Sequence, residues 1–104
     1  LVLDYSGCKG DRMIQIFDEA VKLALSEGKS FAVLSMLDDK SFISPEFMRH
    51  LEKELPKVDM LIRKQAVIGL STIQHWILKG MNLWYKRKVH SFSSMEEAMN
   101  FLVE

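Results

Sequence analysis

Three times along this chain an apolar run stops at small polar or acidic residues and gives way to helical spacing, and this alternation constrains the fold most. The clearest case is Ala66-Val67-Ile68-Gly69-Leu70, ended by Ser71-Thr72. A strand that is apolar at consecutive positions is buried on both faces, the condition of an inner strand in a helix-covered parallel sheet. Phe31 to Leu37, broken only by Ser35 and ended by Asp38-Asp39-Lys40-Ser41, repeats the pattern. Leu1 to Tyr5, closed by Ser6-Gly7 and Gly10, is its shorter first instance.

Between these runs the period changes. From Asp11 onward, Ile14, Phe17, Val21 and Ala24 share one helical face, with Gln15, Asp18, Glu19, Lys22 and Ser26 on the other. That predicts an amphipathic helix ending at Gly28, with an Asp18–Lys22 pair on its wet side. Ser44-Pro45-Glu46 reads as a helix start, with Ser44 as N-cap, proline at the first helical position and an acid facing the positive dipole end. Its expected buried stripe is Met48, Leu51 and Leu55; Pro56 ends or kinks the helix, leaving Val58 to Ile62 as an irregular or short helical link.

After Thr72, the residues Ile73, Trp76, Ile77, Gly80, Met81 and Trp84 recur at helical spacing through about Tyr85. Lys88 to Phe92 is a short fourth strand. Ser93-Ser94-Met95-Glu96 then has the form of a capping box, with Ser93 covering the Glu96 amide. The closing helix is expected to bury Met95, Ala98, Phe101 and Leu102.

Four strands alternating with four helices imply one α/β domain over residues 1–104, a four-stranded, mainly parallel sheet joined by right-handed crossovers. The expected strand order is sequential. It places the first and fourth strands, which carry Asp4, Lys88 and His90, on the edges, whereas a 2-1-3-4 order would expose the apolar Phe31 to Leu37.

Composition narrows the function classes. Fourteen basic and fourteen acidic residues balance, so net charge directs the chain toward neither nucleic acid nor an anionic membrane. No apolar run approaches the roughly 20 residues needed to span a bilayer, so no membrane insertion is expected. The lone Cys8 cannot form an internal disulfide and suits a reducing compartment, which points to the cytoplasm. No charged-then-apolar leader opens the chain. Leu1 already stands in a strand-like run, so a few residues are expected to be missing ahead of it, an earlier strand among them.

Three stretches in order carry a family resemblance: Asp4-Tyr5-Ser6-Gly7 after the first strand, Arg63-Lys64-Gln65-Ala66-Val67-Ile68-Gly69-Leu70-Ser71 before the third helix, and Phe92 with Glu96-Glu97-Ala98 and Phe101-Leu102 at the end. Together they make the chain resemble, over nearly its whole length, the STAS/SEC14-like or SpoIIAA-like proteins of bacteria and archaea. The resemblance implies a single domain of βα units, often preceded by an N-terminal strand that this chain lacks. STAS relatives that antagonise anti-sigma factors carry a phosphorylatable serine in an Asp-Ser-Ser-Gly-like stretch. The nearest equivalents here, Asp39-Lys40-Ser41 and Ser44, lack the flanking glycine, while lipid carriers of the SEC14 type use a much larger domain with a closed cavity.

In an open α/β sheet the polar residues after the strands share one rim, where ligands bind. The candidates are Ser6, Cys8, Asp38, Asp39, Ser41, Ser71 and Thr72, with Ser93 and Ser94 at the same level. Ser71 and Thr72 read first as helix caps, and Asp38-Asp39 first as a solvated turn. Gly69-Leu70-Ser71 begins like a nucleophile elbow, but Ile73 stands where the final glycine belongs. Cys8 and Arg12 are too close for the anion-cradling loop of thiol phosphatases. His50, His75 and His90 lie in separate elements without metal-ligand spacing, and the basic runs Arg63-Lys64 and Lys86-Arg87-Lys88 lack aromatic interleaving, so neither metal, cofactor nor nucleic acid is expected.

The third helix carries more apolar surface than one buried face needs. Trp76, Met81, Trp84 and Tyr85 therefore belong either to a core packed between two layers or to a candidate surface for a protein partner or a second copy. The function expected on these grounds is a non-enzymatic regulatory or interaction module. The alternatives are a small hydrolase or phosphotransferase using Asp38, Asp39 and Ser71, and a carrier of an apolar ligand beside Trp76 and Trp84.

Overall fold

The computed structural model describes residues 1–85 and 89–104; residues 86–88 and the side chain of Trp84 lie outside the described residues. Strands β1 (Val2–Asp4), β2 (Phe31–Met36), β3 (Ile62–Ile68) and β4 (Val89–Phe92) alternate with helices α1 (Gly10–Glu27), α2 (Pro45–Glu54), α3 (Thr72–Trp84) and α4 (Met95–Val103). All three strand pairings are parallel and the order is sequential, β1-β2-β3-β4. The apolar β2 and β3 are the inner strands, with Leu34 opposite Ala66 and Ser35 opposite Val67.

Right-handed crossovers in a sequential sheet put every connecting helix on the same face. The two apolar clusters follow that rule. Leu3, Tyr5 and Val33 pack with Met13 and Phe17 of α1, Phe47 and Leu51 of α2, Met81 of α3 and Tyr85 at its end. Residues pointing the other way along the strands, Leu34 and Ala66, meet Ala98, Phe101 and Leu102 of α4. Side chains alternate across a strand, so each inner strand feeds both layers.

Local chemistry explains the boundaries. Gly28, at φ 65°, closes α1 by donating its amide to the Ala24 carbonyl at 3.0 Å. Ser44 caps α2 by accepting from the Phe47 amide, and Pro45 stands at the first helical position. The helix yields at Glu54 to short 3₁₀ turns over Leu55–Lys57 and Asp59–Leu61. Phe47 joins Leu51 in the buried stripe of α2, while Met48 is half-buried.

Four expectations are corrected. Strand β3 begins at Ile62 rather than Ala66, because Gln65 is paired inside the fold and Lys64 reaches out to donate to the Phe101 carbonyl at the end of α4, at 2.9 Å. The cap of α4 is Ser94, not Ser93: Ser94 accepts from the Glu97 amide, whereas Ser93 donates its hydroxyl to the Glu97 carboxylate. Met95, expected inside, is exposed at the helix start. Asp18 meets His50 of α2 rather than Lys22, which ties two helices together instead of stapling one.

Candidate functional site

The rim exists, and hydrogen bonds within the protein engage most of its polar groups. Asp38 stands in the loop just after β2 and turns its carboxylate across to the loop after β1. One oxygen accepts from the Gly7 amide at 2.9 Å, the Lys40 amide at 3.0 Å and the Ser41 hydroxyl at 3.1 Å. Ser41 is buried, and its hydroxyl lies 2.8 Å from the Tyr5 carbonyl as well. Phe42 adds a backbone bond to Cys8. One aspartate and one serine thus tie the first two loops together.

The third loop is tied to the second. Ser71 and Gln74 form a capping box at the start of α3: the Gln74 amide donates to the Ser71 hydroxyl, and the Gln74 side-chain carbonyl accepts from the Ser71 amide at 2.8 Å. The other end of that side chain donates to the Ser41 carbonyl at 3.0 Å. Gly69, at φ 82°, brings β3 so close to the Leu37 carbonyl that a Cβ would collide with it. Only glycine tolerates both conditions.

These bonds set the acidity of the rim. The Gly7 amide, then those of Lys40 and Ser41 with the Ser41 hydroxyl, hold Asp38 below the ordinary carboxylate value of 3.8. Ser6 lowers Asp4 in the same way, through its hydroxyl and then its amide. Burial pushes the Tyr5 phenol well above its usual range, with the Cys8 thiol adding to the effect. Asp38 and Asp4 are therefore carboxylate acceptors near neutrality, poorly suited to give up a proton there.

Of the expected rim residues, Ser6, Cys8, Asp38 and Ser41 come together through the first two loops, and Ser71 joins them through Gln74. Asp39 and Thr72 are exposed beside them. The Cys8 thiol is free and points at the Ser6 carbonyl, 3.6 Å away, while Arg12 donates to Gln15. No group of three or more His, Cys, Asp or Glu side chains arranged to hold a metal occurs among the described residues.

The expected surface on α3 divides. Trp76 is 67% exposed, and Met81 and Tyr85, at 8% and 7%, face the core, which removes them from a partner surface. The exposed apolar companions of Trp76 are instead Ile73 at 73% and Leu83 at 90%. Trp84, whose side chain lies outside the described residues, has no assigned face. Lys79 lays its ammonium over the Trp76 ring, 4.9 Å from the centroid.

Polar anchors, which the periodicity did not disclose, fix the inner face. The Gln65 amide donates to the Tyr85 hydroxyl at 2.6 Å, which donates to Asp59 at 2.8 Å. Asn82 pairs through both ends of its amide with the backbone of Val89. No sequence spacing signals these contacts, whereas the capping box at the start of α3 is signalled by Ser71-x-x-Gln74. Between the sheet and α1, α2 and α3 lies an apolar cavity of about 130 Å³, lined by Phe47, Leu51, Val67 and Met81 among others, with Ser35 from the sheet.

No family model, characterised protein or solved structure matches this chain. Among the described residues, no helix is long and apolar enough to cross a membrane.

Proposed function

We propose that the chain is a STAS-like, non-enzymatic interaction module of the cytoplasm that holds a protein partner on the outer face of α3. The observation that carries this reading is the exposed row of Ile73, Trp76 and Leu83 on a helix whose opposite face is already buried in the core. Large apolar groups held in contiguous, exposed register mark interaction surfaces. The sequentially ordered coil of βα units supports the STAS-like part of the reading, and the free thiol of Cys8 suits a reducing compartment. Hydrolysis or phosphotransfer at Asp38, Asp39 and Ser71 has less support, because Asp38 and Ser71 are engaged in loop closure and helix capping.

The test is affinity capture with wild type and Trp76→Asp, each checked for native circular dichroism. Loss of a specific partner in the variant supports the surface; identical partners in both overturn it. The cavity favours a second reading, a small apolar ligand under α3, since cavities of about 150 Å³ lined by apolar groups take up benzene-sized molecules. Native mass spectrometry that finds only bare protein, with no thermal shift from benzene, removes that option.

A further inference from the structure

We infer that the occupant of the α3 face is a second copy of this chain, packed antiparallel about a twofold axis at the level of residue 78. The inference rests on the reading of α3 as a partner surface and specifies the partner. At 100° per residue, Ile73, Trp76, Gly80 and Leu83 fall on one outward stripe, away from Gln74, Met81 and Tyr85 on the buried side. The stripe is symmetric about its middle: Ile73 and Leu83 stand equally far from position 78, as do Trp76 and Gly80.

In a twofold antiparallel pair each residue meets its mirror position. Here the largest side chain of the stripe meets the smallest, twice. The indole of Trp76 on one copy enters the space over Gly80 of the other, where an added Cβ would find nothing within 4 Å in the single chain. Ile73 of each copy lies against Leu83 of the other. A glycine costs stability in an exposed helix, so its place opposite the tryptophan gives it a use that the isolated domain does not.

The area is sufficient. Ile73, Trp76 and Leu83 together expose about 450 Å² per copy, and with Thr72, His75 and Lys79 at the rim the patch is of the order needed for the approximately 1,000 Å² of a specific interface. The helix bears Lys79 and His75 and no carboxylate, so the two Lys79 ammonium groups come near each other beside the axis. Salt therefore tightens this association, whereas it weakens binding of the same face to an acidic protein or an anionic membrane.

Sedimentation velocity over a range of concentrations tests the inference on wild type, Gly80→Leu and Trp76→Ala. The expected result is a wild-type dimer, weakened at least about 30-fold in either variant, as for a central contact. Gly80→Leu adds a helix-favouring residue in open space, so its circular dichroism is unchanged and its melting midpoint, compared with wild type at concentrations where both are monomeric, is not reduced. Register is read in a Cys8→Ser background: Ile73→Cys with Leu83→Cys crosslinks two chains, and Ile73→Cys alone does not, the two positions lying about 15 Å apart along the axis.

A chain that stays monomeric overturns the inference, as does a dimer indifferent to both variants, one that crosslinks through Ile73→Cys alone, or one that weakens with salt. A monomer whose Trp76→Asp variant loses a captured partner leaves the broader reading standing. A monomer with unchanged partners removes both.

Discussion

The side-chain amide of Gln74, buried at the first turn of α3, donates at 3.0 Å to the carbonyl of Ser41 in the loop after β2. The same side chain closes the capping box with Ser71. Gln74→Leu keeps the approximate volume but leaves the Ser41 carbonyl and the Ser71 amide without their partner. The expected cost is about 2 kcal/mol, read as a lower urea midpoint with an unchanged slope. A variant as stable as wild type would show that α3 is held by its apolar face alone.

Gly69→Ala is expected to cost more. The substitution places a methyl group against the Leu37 carbonyl and forces a left-handed backbone on alanine, so two penalties fall on one residue. A loss of about 3 kcal/mol is expected in chemical unfolding, or failure to fold. Gly28→Ala, with open space around it, isolates the backbone penalty and should cost less.

Acid should loosen the loops of the rim through Asp38. Its folded pKa is lowered by the Gly7, Lys40 and Ser41 donors, so the carboxylate contributes stability that is complete well above 3.8 and is lost as pH falls through the folded value. The measurement is the urea midpoint as a function of pH. Asp38→Asn should flatten the curve below about pH 4, and an unchanged acid limb would place the relevant proton elsewhere.

The two serines before α4 separate cleanly. Ser94→Ala removes the oxygen that accepts from the Glu97 amide and should cost about 1 kcal/mol, whereas Ser93→Ala loses only an exposed contact to the Glu97 side chain and should cost a few tenths. Equal losses in thermal unfolding would contradict the assignment of the cap.

The architecture was legible because its inner strands are apolar on both faces. Phe31 to Met36 and Ala66 to Ile68 can be satisfied only between two layers, and Asp4 and His90 mark the edge strands. The front of β3 was not legible, since Arg63-Lys64-Gln65 resembles a solvated stretch until Lys64 is seen reaching the end of α4 and Gln65 meeting Tyr85. On α3 the difficulty is of another kind. Ile73, Trp76 and Leu83 recur at helical spacing, and so do Ile77, Met81 and Tyr85; only packing decides which set turns inward. The rim residues were found by position, but their engagement in closing loops depends on partners far away in sequence, such as Asp38 with Gly7.

The path from Asp38 through Ser41 to Gln74 gives the domain a mechanical property. It works as a buckle fastening three loops, and its last tooth is on the inner side of the helix whose outer side carries Trp76. A phosphoryl group on Ser41 could not be accommodated with the buckle closed, because that hydroxyl is buried against the Tyr5 carbonyl. Any event that unfastened it would also release the first turn of α3, so a signal arriving at the rim would be felt as a change in the footing of Ile73 and Trp76.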